Sequence, residues 1–242
     1  MNITPNTSPL SQQLYEQLNE MIVNAQPGER LPSEPKLAKQ LGVSRATLRE
    51  AMRTFETQGM IYRRQGVGTF VIQHNQVIES GLEVLESLET IAERIGLPVS
   101  MGDYEVIKRP ASEEECQELA MKDGCDVVHV SRVIEAENRP VAYLIDILPT
   151  DLLTERELER EFSGSVLDLL LRKGEPLLTN SRTEISAVPV TKSVARAMGI
   201  QRGDVVLCFE ATLFTADGKV VDYSHSYFLP GFFKFRVNRR VG

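Results

Sequence analysis

The chain has 242 residues, 42% of them hydrophobic and 25% charged, a globular composition long enough for one large or two modest domains. No run approaches the roughly 18 apolar residues of a membrane span, and Met1 to Gln12 has no apolar signal core, so a cytoplasmic protein without membrane contact is expected. Net charge is −7, which spread evenly would disfavour nucleic acid. Its distribution is uneven. Residues 1–73 hold eight basic and six acidic side chains, so the excess acid lies in the remainder. A basic head on an acidic body predicts two domains with different partners. Cys116, Cys125 and Cys208 are odd in number and match no zinc spacing, so reduced thiols and no metal or other cofactor are expected.

The first predicted helix spans Ser11 to Val23, with Leu14, Leu18, Met21 and Ile22 on one face, and Pro27-Gly28 stops it. A second begins at Ser33 as N-cap, with Pro35 in the first turn and Leu37, Ala38 and Leu41 inward. Gly42 supplies a turn. Ser44 caps a third helix, with Leu48, Ala51, Met52 and Phe55 on its buried side. Two strand-like runs, Ile61–Arg64 and Thr69–Ile72, flank the hairpin tip Gln65-Gly66-Val67-Gly68. Helix, tight turn, helix and hairpin is the plan of a winged helix-turn-helix.

Arg45, Arg49 and Arg53 recur every four residues, opposite the apolar stripe of the third helix. Arg45 is in the first turn, where a reading helix meets base edges and a guanidinium can fork onto guanine. Arg49 and Arg53 lie further along and suit phosphates. Arg63, Arg64 and the glycine tip would let the hairpin approach the DNA backbone. The run Leu31 to Val71 closely resembles the DNA-binding domain of the GntR family. That resemblance implies operator contacts from Ser44, Arg45, Thr47, Arg49, Gln65 and Gly66. Pro35 stands where many members have an arginine, which Lys36 replaces in part, and Ala46 stands where several have threonine.

Gln73-His74-Asn75-Gln76 is polar and aperiodic, and a linker over residues 74–79 is expected. A helix carrying Leu82, Leu85, Leu88, Ile91 and Ile95 then stops at Gly96. Strand patterns follow at Tyr104–Lys108, Val127–Ile134, Val141–Leu148, Thr183–Val188, Val205–Phe214 and Val220–Phe228, with helical patterns at Glu113–Met121, Val166–Arg172 and Val194–Met198. Short turns between strands predict an α+β domain on a largely antiparallel sheet. On the strand Val220–Phe228, Asp222 and Ser224 share one face while Tyr223 and His225 share the other. Asp222 and His225 therefore make a poor catalytic dyad, and no enzyme is expected.

This half resembles the UTRA domain of the HutC subfamily, which shares its fold with chorismate lyase. The resemblance rests on Arg132 before Pro140-Val141, on the run Gly164 to Leu170, on Ala195 to Gly199 and on the run Gly218 to Ser224. It implies an effector cleft beside the sheet with Ser87, Arg132, Ser165, Asp222 and Ser224 as candidates. Where phosphosugar binders have a second arginine this chain has Ile134, and Leu144, Leu167, Phe228 and Leu229 replace further polar residues. Glu86 brings negative charge to the serine loop. One arginine does not compensate a doubly charged phosphate, since burying unpaired charge costs several kcal/mol. A carboxylate, a neutral metabolite or an apolar molecule is therefore expected before a sugar phosphate. Arg132 has a second reading, as an ion-pair partner of Glu184 or another strand carboxylate, which adds Glu184 to the ligand-site candidates.

The combined expectation is a DNA-binding domain (1–73), a linker (74–79) and an effector-binding and dimerisation domain (80–242). The protein would be a ligand-responsive repressor, homodimeric on a pseudo-palindromic operator, with Val220–Phe228 and Phe233–Arg240 as candidates for the dimer interface or for its support. A lyase-type enzyme domain fused to a DNA-binding head is the alternative.

Overall fold

The computed structural model describes the chain except residues 1–8, 27, 58–59, 65–66, 72–77, 154–156, 159–161, 163 and 239–242, and except the side chains of 9–11, 57, 62, 64 and 79. It divides into two compact units, Met1–Val77 with Pro230–Phe232, and Ile78–Leu229 with Phe233–Gly242.

The first unit holds three helices, α1 (Pro9–Asn24), α2 (Glu34–Gln40) and α3 (Arg45–Thr57), and an antiparallel hairpin of β1 (Ile61–Arg64) and β2 (Gly68–Val71). Its core is the set the helical spacing selects: Leu14, Leu18 and Ile22 of α1, Leu37 of α2, Leu48, Met52 and Phe55 of α3, closed by Ile61 and Val71 of the hairpin. Tyr15 stacks on Phe55 with ring centroids 4.6 Å apart. Gly42, at φ +67°, makes the left-handed turn between α2 and α3 that a side chain would strain. Ser44 accepts the Thr47 N–H at 3.1 Å and caps α3. Ser33 is the residue preceding α2, but its side chain makes no capping bond. Pro35 in the first turn leaves one fewer N–H to satisfy there.

The second unit is α+β. Its six-stranded antiparallel sheet runs in the order β4 (Val99–Pro110), β5 (Asp126–Ala136), β6 (Arg139–Pro149), β9 (Val220–Phe228), β8 (Val205–Thr215), β7 (Leu178–Pro189). Two meanders, β4-β5-β6 and β7-β8-β9, join where β6 pairs with β9. The β5–β6 hairpin closes on Glu137 and Asn138, both at positive φ, as a two-residue turn that follows strand twist requires. The helices are α4 (Leu88–Ile95), α5 (Glu113–Glu118), α6 (Val166–Lys173) and α7 (Lys192–Met198). Val166, Leu169 and Leu170 of α6 pack on Val128, Val130, Leu148 and Leu213 of one sheet face.

Two expectations are corrected. The helix drawn from Leu82 begins only at Leu88, because Ser87 takes the N-cap by accepting the Thr90 N–H at 3.0 Å; Leu82 and Leu85 are exposed. Ile78 and Glu79, assigned to a linker, form β3 (Ile78–Gly81), which pairs in parallel with β10 (Phe233–Arg236). The rest of the expected linker, residues 74–77, lies outside the described residues. β9 lies inside the sheet, with β6 and β8 on its two sides.

Candidate functional site

Two sites merit construction, one in each unit. In the first, the buried stripe of α3 turns its other face outward. Ser44, Arg45, Thr47 and Arg49 are exposed, as is Lys36 on α2. The Ser44 and Thr47 hydroxyls lie 2.8 Å apart beside the start of the helix, so polar groups and free N–H ends of α3 face solvent together. Arg45 makes no ion pair among the described residues. Arg49 differs: its Nε donates to Glu34 at 2.7 Å. Arg63 on the hairpin reaches the same carboxylate at 3.5 Å and Glu56 at 3.6 Å. Glu34 thus gathers one guanidinium from the helix and one from the wing, a role no local pattern signals. Arg53 is half-buried. Gln65, Gly66 and the Arg64 side chain, all named as DNA contacts, lie outside the described residues.

In the second unit a cleft of about 760 Å³ opens on one face of the sheet. The strand period of two carries Arg132, Asp146, Asp222 and Ser224 to its floor. Ser87 and Ser165, the N-caps of α4 and α6, line its wall. The two caps are joined, because Ser87 donates at 2.7 Å to Asp168, whose own N–H is bound by Ser165 at 3.0 Å. Five of the six residues anticipated for the ligand site therefore meet. Glu184 does not. On β7 its neighbours Thr183 and Ile185 line the cleft, and alternation sends Glu184 to the other face.

Arg132 is 4% exposed. Its partner is Asp146, to which Nη1 donates, and not Glu184. Register explains this: Arg132 lies opposite Leu144, so Asp146 is the next residue on the same face. Counting back from the Glu137-Asn138 turn does not find it, because an irregularity between Ile134 and Glu135 shifts the register by one residue. The guanidinium also sits over the Phe162 ring, 5.7 Å from its centroid. Glu89 approaches Nε only to 4.0 Å. Both Glu89 carboxylate oxygens, Arg132 Nε and Asp222 Oδ1 are buried without a hydrogen-bond partner among the described residues.

Burial pushes the Asp222 carboxyl well above the usual carboxylate range, and the Asp146 charge adds to that; Arg132 opposes it. Burial likewise raises Glu89, again against Arg132. The opposite sheet face is a different environment. Tyr223 reaches Glu210 at 2.8 Å and Glu114 at 3.0 Å, and the His225 ring lies edge-on to it at 4.8 Å. Neither lines the cleft, so Asp222 and His225 do not cooperate as acid and base. No group of ligands suited to a metal occurs among the described residues, and no described helix is long and apolar enough to cross a membrane.

Comparison with known proteins now adds to this geometry. The family model of the bacterial regulatory proteins, gntR family, matches residues 10–71, and that of the UTRA domain matches residues 90–234. The chain is 31% identical over 237 residues to the HTH-type transcriptional repressor NagR of Bacillus subtilis, covering 94% of both chains. It is 26% identical over 232 residues to the Mannosyl-D-glycerate transport/metabolism system repressor MngR of Escherichia coli, covering 95% of each. Against the histidine utilization repressor of Pseudomonas putida it is 28% identical over 203 residues, 80% of this chain and 79% of the other. In fold it matches the crystal structure of PhnF from Mycobacterium smegmatis with a TM-score of 0.61 at 20% identity, over 95% of this chain and all of that one. A helix-turn-helix with its reading face open, joined to a UTRA domain with a polar cleft, places the chain in the GntR family, HutC subfamily: it is a ligand-responsive DNA-binding transcription regulator and not an enzyme.

Proposed function

We propose that the protein is a cytoplasmic repressor that binds a pseudo-palindromic operator as a homodimer and is released by a metabolite held in the cleft. The observation that carries this reading is the exposed, capped face of α3, with Arg45 unpaired among the described residues at its first turn. Residues 1–73 bind DNA, and residues 80–242 bind the effector and dimerise. A single winged helix makes few base contacts, and a two-fold pair doubles them and sets half-site spacing. The names of the relatives, repressors in the three cases given above, support the sign.

The cleft is the effector site in this reading. Its wall includes the segment 80–87, which starts in the last two residues of β3. A ligand that contacts this segment acts close in the chain to residues 1–73. The coupling expected between effector and operator is about 1–3 kcal/mol. Of the ligand classes anticipated from the sequence, a sugar phosphate is the least suited, because Arg132 is already engaged by Asp146. Selection of random duplexes by the full-length protein tests the reading. Enriched sites with two-fold symmetry support it; enrichment of asymmetric single sites, or none, overturns the dimeric operator.

A further inference from the structure

The charge in the cleft points to the class of effector, an inference that rests on the cleft being the effector site. Among its described lining residues the single cation is Arg132, against Glu83, Glu86, Asp146 and Asp222. Most of these have partners. Glu83 accepts the Asn238 N–H, Glu86 accepts from Arg94, and Asp146 holds Arg132. Asp222 is the exception. It is 6% exposed, one side is held by the Ser224 hydroxyl and the Ile147 N–H, and Oδ1 has no partner among the described residues.

A buried acceptor without a donor costs free energy that a bound donor recovers. An anion in its place would lie against Asp222 and Asp146, with Nη1 of Arg132 already engaged. A neutral hydroxyl would supply a hydrogen bond but leave the excess of carboxylates, to which Glu89 and Asp168 of the helices add. A positively charged nitrogen supplies both the donor and the missing charge. Around this polar floor the lining is apolar, with Leu88, Ile91, Leu167, Phe209, Leu213 and Phe228.

We propose that the effector is an amine-bearing metabolite whose cationic nitrogen pairs with Asp222 and whose less polar body fills the remainder of the cleft. This narrows the classes anticipated from the sequence and removes the carboxylate.

Three probes of one shape test it: hexylamine, 1-hexanol and hexanoate, each titrated into the full-length protein at neutral pH, with glucose 6-phosphate as a fourth. The readouts are the thermal midpoint and calorimetric binding. Hexylamine is expected to bind, with Asp222→Asn weakening it about tenfold or more. That variant is isosteric and removes a buried charge, so it is expected to fold with an unchanged or higher midpoint. Thr183→Trp, at an exposed position lining the cleft, is expected to weaken hexylamine as well. If hexanoate or glucose 6-phosphate binds more tightly and Thr183→Trp weakens it, the cleft stands as the effector site and the amine is wrong. If hexylamine binds but neither variant affects it, both the amine at Asp222 and the cleft reading fail. No hexylamine binding at about 10 mM overturns the amine proposal.

Discussion

The two units use arginine in opposite ways. On α3 Arg45 lies in water and Arg49 on a surface carboxylate, where pairing is worth little. In the cleft one guanidinium is 4% exposed and is engaged by a buried carboxylate. A surface arginine is a ligand held ready for a partner. A buried one is a part of the fold whose removal strands other charges. The first kind of site reads substituents on an incoming surface; the second sets the polarity of an enclosed space.

This contrast can be broken or sharpened by substitution. The largest effect is expected for Arg132→Met, which leaves Asp146, Glu89 and Asp222 without their cation; urea unfolding should show a loss of about 3–5 kcal/mol. A loss below about 1 kcal/mol would mean the carboxylates neutralise by taking up protons.

Asp222→Asn addresses the same cluster through pH. The folded carboxyl titrates above its ordinary value of 3.8, so between that pH and the folded value the native state binds more protons than the unfolded chain. Stability is then present at low pH and declines as pH rises, by at most about 1.4 kcal/mol per pH unit. The variant should lack this decline and be more stable at neutral pH. Equal slopes in both proteins, from denaturant midpoints across about pH 4 to about pH 8, would remove Asp222 as the source.

In the first unit, Arg45→Ala should leave the unfolding midpoint unchanged and weaken specific operator binding by about 1–3 kcal/mol. Unchanged affinity in an anisotropy titration would show that another residue reads the bases. The smallest effect is expected for Glu34→Gln. It releases Arg49 and Arg63 from a shared carboxylate, so affinity for any duplex should rise slightly. The salt dependence should steepen by about one phosphate contact. A fall in affinity would mean that Glu34 holds those guanidiniums in their DNA-facing positions.

Legibility differed between the units for a physical reason. The three helices and the core of the first unit follow from local spacing, because i, i+3 and i+4 positions share a helix face whatever surrounds them. Leu14, Leu18, Leu48, Met52 and Phe55 are buried as that rule requires. Glu34 was missed because its partners, Arg49 and Arg63, lie on other elements. In the second unit the strands were legible from alternation, and Ser87, Arg132, Ser165, Asp222 and Ser224 met in the cleft. Leu82 and Leu85 misled because their spacing continues the apolar stripe of α4 past its cap. Glu184 misled because two residues on different strands were paired without knowledge of strand order: β7 and β5 are separated in the sheet by β6, β9 and β8.

By itself the sequence determined what neighbouring residues settle: the helix-turn-helix and its arginine stripe, the alternating strands, the Ser44 cap and the division of charge between head and body. Only the tertiary structure decided which carboxylate holds Arg132, that Asp222 is left with an oxygen unmet among the described residues, and that β9 is interior. Those outcomes depend on strand order and on exclusion of water, and both arise only when segments far apart in the chain are brought together.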